Sequence, residues 1–182
     1  MAVDARTERL IEQHADRAYS IALRMSGNEV DAGDIVQEAF LRVIKYMESY
    51  DASQPFEAWL SQIIKNVYLH SLRVEMRRRA VPLSVPLEED DAYSLEEVLA
   101  DPAPGPERES LAREESDRMQ SALGRLSPNL RMAVILVDLE GMDREQSAVA
   151  LGCSLSALDV RLHRARAQLK DILIRQEKGR PS

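Results

Sequence analysis

The sequence predicts an all-α fold: two small helical domains joined by a flexible acidic linker. Three observations predict it. Apolar residues recur at steps of three and four along both halves of the 182-residue chain, and no segment alternates as a strand would. Ser, Asn, Asp, Gly and Pro interrupt those stripes where helix caps and stops belong. Acidic charge is concentrated in one proline-rich stretch between the halves, while 45% hydrophobic composition excludes a wholly disordered chain.

The first helix runs from about Asp4 to Met25, with Leu10, Ile11, Ala18, Ile21, Ala22 and Met25 on one face, and stops at "SGN". A second starts at about Asp31, where Ile35, Val36, Ala39, Phe40, Val43, Ile44 and Met47 share a face. After the turn-like "SYDASQP", Phe56, Trp59, Leu60, Ile63, Ile64, Val67 and Leu72 form a third stripe, which ends in "MRRR" at Met76–Arg79. These helices make a first domain over residues 1–80.

Residues 82–117 hold five prolines and twelve acidic residues against Arg108 and Arg113, so residues 81–105 read as the linker. The second domain, 106–182, restarts near Pro106 with Leu111, Met119, Ala122, Leu123 and Leu126 as apolar positions. Ser127 and Pro128 open the next helix and Gly141 stops it. Asp143 caps another that ends at Gly152, and Ser154 caps the last.

"DREQSAVALGCSLSALDVRLHRARAQL" therefore has the parts of a helix-turn-helix. In its second helix Leu155, Leu158, Leu162, Ala165 and Leu169 form the packing stripe. The opposite face presents Ser156, Ala157, Asp159, Val160, Arg161, His163, Arg164 and Arg166. Its arginines suit phosphates or guanine edges, although the whole chain carries a net charge of −7.

In the first domain, six of eight aromatics lie between Phe40 and Tyr68, beside Lys65, Arg73, Arg77, Arg78 and Arg79. Aromatics next to cations are what unpaired DNA bases and their phosphates bind. Phe40, Phe56 and Trp59 lie on apolar stripes and read as core, which leaves Tyr46 and Tyr50 as the better stacking candidates.

Several classes are excluded or left without support. A lone Cys153 permits no intramolecular disulfide, and His14, His70 and His163 have no second ligand at i+3 or i+4, so neither metal nor cofactor is expected. No apolar run approaches the roughly 18 residues of a membrane span, and the charged N-terminus has no signal-peptide pattern, so a cytoplasmic protein is expected. No catalytic constellation is present, and the chain is expected not to be an enzyme.

The segment "LSPNLRMAVILVDLEGMDREQSAVALGCSLSALDVRLHRARAQLKDIL", with "LEG", "LGCS" and "RLHRAR" in register, resembles region 4 of the extracytoplasmic-function (ECF) RNA polymerase sigma factors. Independently, "DAGDIVQEAFLRVIKYMESYDASQPFEAWLSQIIKNVYLHSLR" is similar to their region 2. The resemblance implies that the last helix reads the −35 promoter element. It implies that Tyr50, Asp51, Ser53 and Gln54 hold a flipped −10 base while Lys65, Asn66, Arg73 and Arg77 touch the strands upstream. Asp34, Gln37, Glu38, Leu41 and Arg42 would dock on core RNA polymerase. The linker would thread toward the RNA exit path, and a plain solvated tether explains its composition equally well. Inhibition by an anti-sigma factor, a fused domain or a modification stays open.

The chain departs from the family pattern at Gly33, His70, Ser147, Ala157 and Asp159. Gly33 stands where an acid is common, next to the implied polymerase surface. Asp159 stands where a base is common, and three readings are open: it accepts from cytosine N4, it repels phosphate, or it is an acid favoured in the first turns of its helix. Two rivals follow: a stand-alone helix-turn-helix regulator, and a degenerate sigma mimic that binds an anti-sigma factor.

Overall fold

The computed structural model describes residues 3–78 and 110–178. The expected linker at 81–105, Arg79 and the expected helix start near Pro106 lie outside the described residues. Among the described residues the chain is helical, with no strand. α1 (Ala5–Ser26), α2 (Glu29–Tyr46) and α3 (Phe56–Arg78) form the first module, and α4 (Ser110–Gly124), α5 (Pro128–Val134), α6 (Arg144–Leu151) and α7 (Leu155–Lys178) form the second.

Local chemistry sets most of these ends. Asp4 accepts the Arg6 and Thr7 amides at the start of α1, and Gly27 closes it with a left-handed φ of 86°. α2 begins two residues before Asp31, because Asn28 is its cap and takes the Asp31 amide at 2.8 Å. Asp143 accepts the Gln146 amide at 2.8 Å, and Ser154 the Ala157 amide at 3.2 Å, ahead of α6 and α7. Ser127 differs from expectation: it occupies the cap position of α5, but its side chain accepts no amide, and Pro128 at the first turn sets that start.

The helix after Pro128 does not run uniformly to Gly141. From Ile135 to Leu139 it widens into a π-type turn, with the Glu140 amide donating to the Ile135 carbonyl at 2.9 Å. Gly141 then reverses the chain at φ 67°, and the Met142 amide reaches the Leu136 carbonyl at 2.8 Å.

The two modules share one apolar core. Ile21, Met25, Ile35, Val43 and Ile64 from the first are continuous with Leu123, Leu126, Leu130, Leu136, Leu158 and Leu162 from the second. Each such side chain contributes about 1.5–3 kcal/mol on burial. Leu155 departs from its expected stripe and is exposed, since the first turn of α7 projects beyond that core.

At the seam lies Arg131, 1% exposed. Its guanidinium donates to the Met25 carbonyl, the Tyr68 hydroxyl (2.9 Å), and the carbonyls of Gly124 (2.6 Å) and Leu126 (3.1 Å). Met25 and Gly124 lie in the last turns of α1 and α4, where carbonyls lack helical partners and the helix dipole is negative. Among the described residues this cation has no carboxylate partner, and two helix ends hold it.

Candidate nucleic-acid interface

α7 presents the face expected of it. Ser156, Asp159, Val160, His163, Arg164 and Arg166 are exposed, and Ala157 and Arg161 half-buried, while Leu158, Leu162, Ala165 and Leu169 pack inward. Charged groups on this face have partners within the chain. Arg166 makes a two-pronged contact with Asp138, at 2.9 and 2.6 Å, and Asp159 lies 3.1 Å from Arg144 in the first turn of α6. Asp159 therefore ties the two helices of the turn motif together. Both partners of that pair are half exposed, which limits it to about 0–1 kcal/mol. Ser147 is fully buried and its hydroxyl donates to the Asp143 carbonyl at 2.8 Å, so a polar residue is satisfied where an aliphatic one is common.

The loop between α2 and α3 is braced from within. Asp51 accepts the Ser53 amide (2.9 Å) and hydroxyl (2.8 Å), and these bonds hold its carboxyl below the usual carboxylate value. The Tyr50 ring packs against Trp59 (centroids 4.8 Å apart) and edge-on to Phe56 (5.6 Å), and its hydroxyl donates to the Gln54 carbonyl. Burial pushes the Tyr50 phenol above its usual value. Tyr46, 47% exposed, lies under Lys45, whose Nζ is 5.1 Å from the ring centroid.

Beside this loop is an open groove of about 380 Å³, lined by Tyr50 and Ala52 and, from α1, by Arg6, Arg9, Leu10 and Gln13. The sequence reading missed the α1 residues. Arg6, Arg9 and Gln13 follow a helical step of three and four away from the apolar face, a cationic stripe indistinguishable from ordinary solvated surface until the loop is folded against it.

On α3, Asn66 and Arg77 are exposed and Arg73 half-buried. Lys65 is not on an open surface: it is 8% exposed and its Nζ donates to the Leu151 carbonyl at 2.9 Å, at the end of α6. Burial pushes its ammonium below the usual lysine value, with the Arg161 charge adding to the effect and Cys153 opposing it. The charge that the sequence assigns to an accessible strip is covered by the second module.

On α2, Asp34, Gln37 and Leu41 share an exposed face, with Glu38 and Arg42 paired at 2.8 Å along its edge. Leu41 is 57% exposed among these polar neighbours. Gly33 lies on the same side of the helix, and a Cβ added there would meet nothing within 4 Å.

A three-helix module bearing braced aromatics is followed by a helix-turn-helix with a basic outer face, a combination suited to nucleic acid. Residues 10–78 match the Sigma-70 region 2 model and residues 116–169 the Sigma-70 region 4 model. Over 166 residues the chain is 37% identical to the ECF RNA polymerase sigma factor SigE of Mycolicibacterium smegmatis, covering 91% of this chain and 61% of that one. It is 31% identical to the RNA polymerase sigma factor CnrH of Cupriavidus metallidurans, covering 90% of this chain and 84% of the relative. The solved structure of CnrH in complex with the cytosolic domain of CnrY matches at a TM-score of 0.63 and 27% identity, over 92% of this chain and 86% of that one. The sigma factor RpoE in complex with the anti-sigma factor NepR, from Bartonella quintana, matches in fold at a TM-score of 0.67 and 22% identity, over 91% and 95%. The chain belongs to the sigma-70 family of RNA polymerase sigma factors, among its ECF-type members.

Proposed function

We propose that the chain binds core RNA polymerase and directs initiation at a two-part promoter in the cytoplasm, without catalysis of its own. The observation that carries this reading is the pairing, in the family's order, of a region 2 module with an exposed basic helix-turn-helix. The α7 face from Ser156 to Arg166 would enter the major groove of the −35 element, with Arg161 and Arg164 on phosphates or guanines and Asp159 either selecting cytosine or steadying Arg144. The groove beside Tyr50 would receive the unpaired −10 base, with Asp51, Ser53 and Gln54 shaping its rim and Arg6 and Arg9 meeting its phosphate. Tyr46, Lys65, Asn66, Arg73 and Arg77 would follow the strands upstream. Leu41, with Asp34, Gln37, Glu38 and Arg42, fits a docking patch for the largest polymerase subunits, because protein interfaces are built as an apolar centre with a polar rim.

An anti-sigma factor is a further proposed partner. The likeness to a sigma factor described in complex with the anti-sigma factor NepR supports it.

Run-off transcription with purified core polymerase, genomic fragments and this chain as the only sigma tests the main reading. Discrete promoter-dependent transcripts are expected. DNA binding as a dimer without polymerase, and no transcripts, would favour the stand-alone regulator; binding to an anti-sigma factor with no transcripts would favour the mimic.

A further inference from the structure

The outer face of α7 is apolar at its centre. With about 100° turned per residue, Val160 stands about 170° round the helix from the mean direction of the buried Leu158, Leu162, Ala165 and Leu169. No other residue from Ser156 to Arg166 is so nearly opposite that stripe, so Val160 goes deepest when the outer face of α7 enters a groove. It is 50% exposed, and its neighbours one turn away on either side are Ser156, Ala157, His163 and Arg164. The charges nearest α6 stand to one side of it. Asp159 faces Arg144 at 3.1 Å, and Arg166 is engaged by Asp138 at 2.6 and 2.9 Å. The Ser156 hydroxyl lies 3.0 Å from that of Ser154, which also caps the Ala157 amide. Val160 and the half-buried Ala157 methyl beside it form the apolar spot.

Helix propensity does not account for a valine in that place. At a solvated helix position Ala, Leu, Lys or Glu is favoured, because a β-branched side chain loses χ1 freedom against the preceding turn. The same stiffness gives Val160 one preferred rotamer, so it has little side-chain entropy left to lose on contact. Valine carries neither donor nor acceptor. Set against guanine N7 and O6, adenine N7, cytosine N4 or a phosphate, it would displace water from a polar group and leave that group unpaired. Only one base presents an apolar group in the major groove, the C5 methyl of thymine.

We propose that Val160 is a specificity-determining residue that packs on the C5 methyl of a thymine in the −35 element, with Ala157 closing one side of the contact. The inference rests on the reading of α7 as the −35 helix, and adds to it the base that the centre of the helix selects. Two kinds of contact then share one face. Cations attract the phosphates of any sequence, while the valine rewards one base over the other three.

The test uses the full chain assembled with core RNA polymerase, on the genomic fragment that gives the strongest run-off transcript. Its −35 element is the upstream segment protected in a footprint. Each thymine of that element is replaced in turn by deoxyuracil, which removes the C5 methyl and leaves every hydrogen-bonding group in place. Competition against the unsubstituted duplex reads binding by the holoenzyme. At one thymine or more the replacement should weaken binding about three- to fivefold, the worth of one buried methyl group. With Val160→Ala that loss should disappear. Val149→Ala removes an exposed valine of α6 instead and should keep the full loss. Circular dichroism melting confirms that each variant is folded. An upstream element without thymine, or one whose thymines all tolerate deoxyuracil, overturns the methyl contact. A loss that persists in Val160→Ala, or that Val149→Ala also abolishes, overturns the assignment to Val160. No transcript from any fragment, or no upstream protection, instead overturns the reading of α7 as the −35 helix on which the proposal depends.

Discussion

α3 and α7 both carry cations expected to meet DNA, yet Lys65 on α3 is covered while Arg77 farther along α3 and the outer face of α7 stay exposed. His163, Arg164 and Arg166 on α7 are exposed, while Lys65 on α3 lies beneath Leu151. The same α6–α7 turn is responsible for both states: it projects the outer face of α7 into solvent while its inner side closes over α3. A basic residue in a sequence is a charge available to a partner only if the rest of the chain leaves it in water.

The largest effect should come from breaking the seam beneath both helices. Arg131→Met leaves the carbonyls of Met25, Gly124 and Leu126 without their donor, and each buried unpaired group costs about 1–3 kcal/mol. A loss of about 3 kcal/mol or more is expected in urea denaturation, and a wild-type midpoint with an unchanged slope would show that the guanidinium does not hold the seam. Next in size is the contrast between the two helices themselves. Lys65→Ala removes the donor to Leu151 and should cost about 1–3 kcal/mol, whereas His163→Ala on exposed α7 should stay within about 0.5 kcal/mol. Equal losses in the same denaturation series would erase the distinction between covered and open faces.

Gly33 extends the comparison to α2, whose outer face contacts neither α3 nor α7. Open space around it means Gly33→Ala should stabilise the chain by about 0.5–1 kcal/mol through helix propensity alone. Gly33→Glu should do much the same and, if the polymerase surface lies there, also tighten core binding; equal core affinity for both variants would remove Gly33 from that surface. The smallest effect concerns α7. A double-mutant cycle on Arg144 and Asp159 should give a coupling of no more than about 1 kcal/mol. Asp159→Lys measured across a library of −35 sequences then separates its DNA roles: a uniform gain in affinity means that repulsion was relieved, and altered base preference means readout.

Much of the site was legible because it is written locally. Asp4, Asp143 and Ser154 act as caps within three residues of the amides they accept, and the exposed face of α7 follows from a period of 3.6. The same rules err where a longer-range contact competes. Ser127 has the right identity for a cap, but Pro128 alone shapes that start; Leu155 has the right spacing for the core, but α7 begins beyond it. Arg6, Arg9 and Gln13 have no local signature of a groove, because its other wall is a loop some forty residues away.

By itself the sequence determined the helices, their order, the division into two modules and the family, since each depends on periodicity, caps and motifs read within a few dozen residues. Only the tertiary structure decided what the charges do. Lys65 and Leu151 are 86 residues apart, Met25 and Arg131 are 106 apart, and Arg17 and Glu140 are 123 apart. Burial, desolvation and partnership arise when such distant segments share one core, and no local pattern specifies which cation stays in water and which donates to a carbonyl instead.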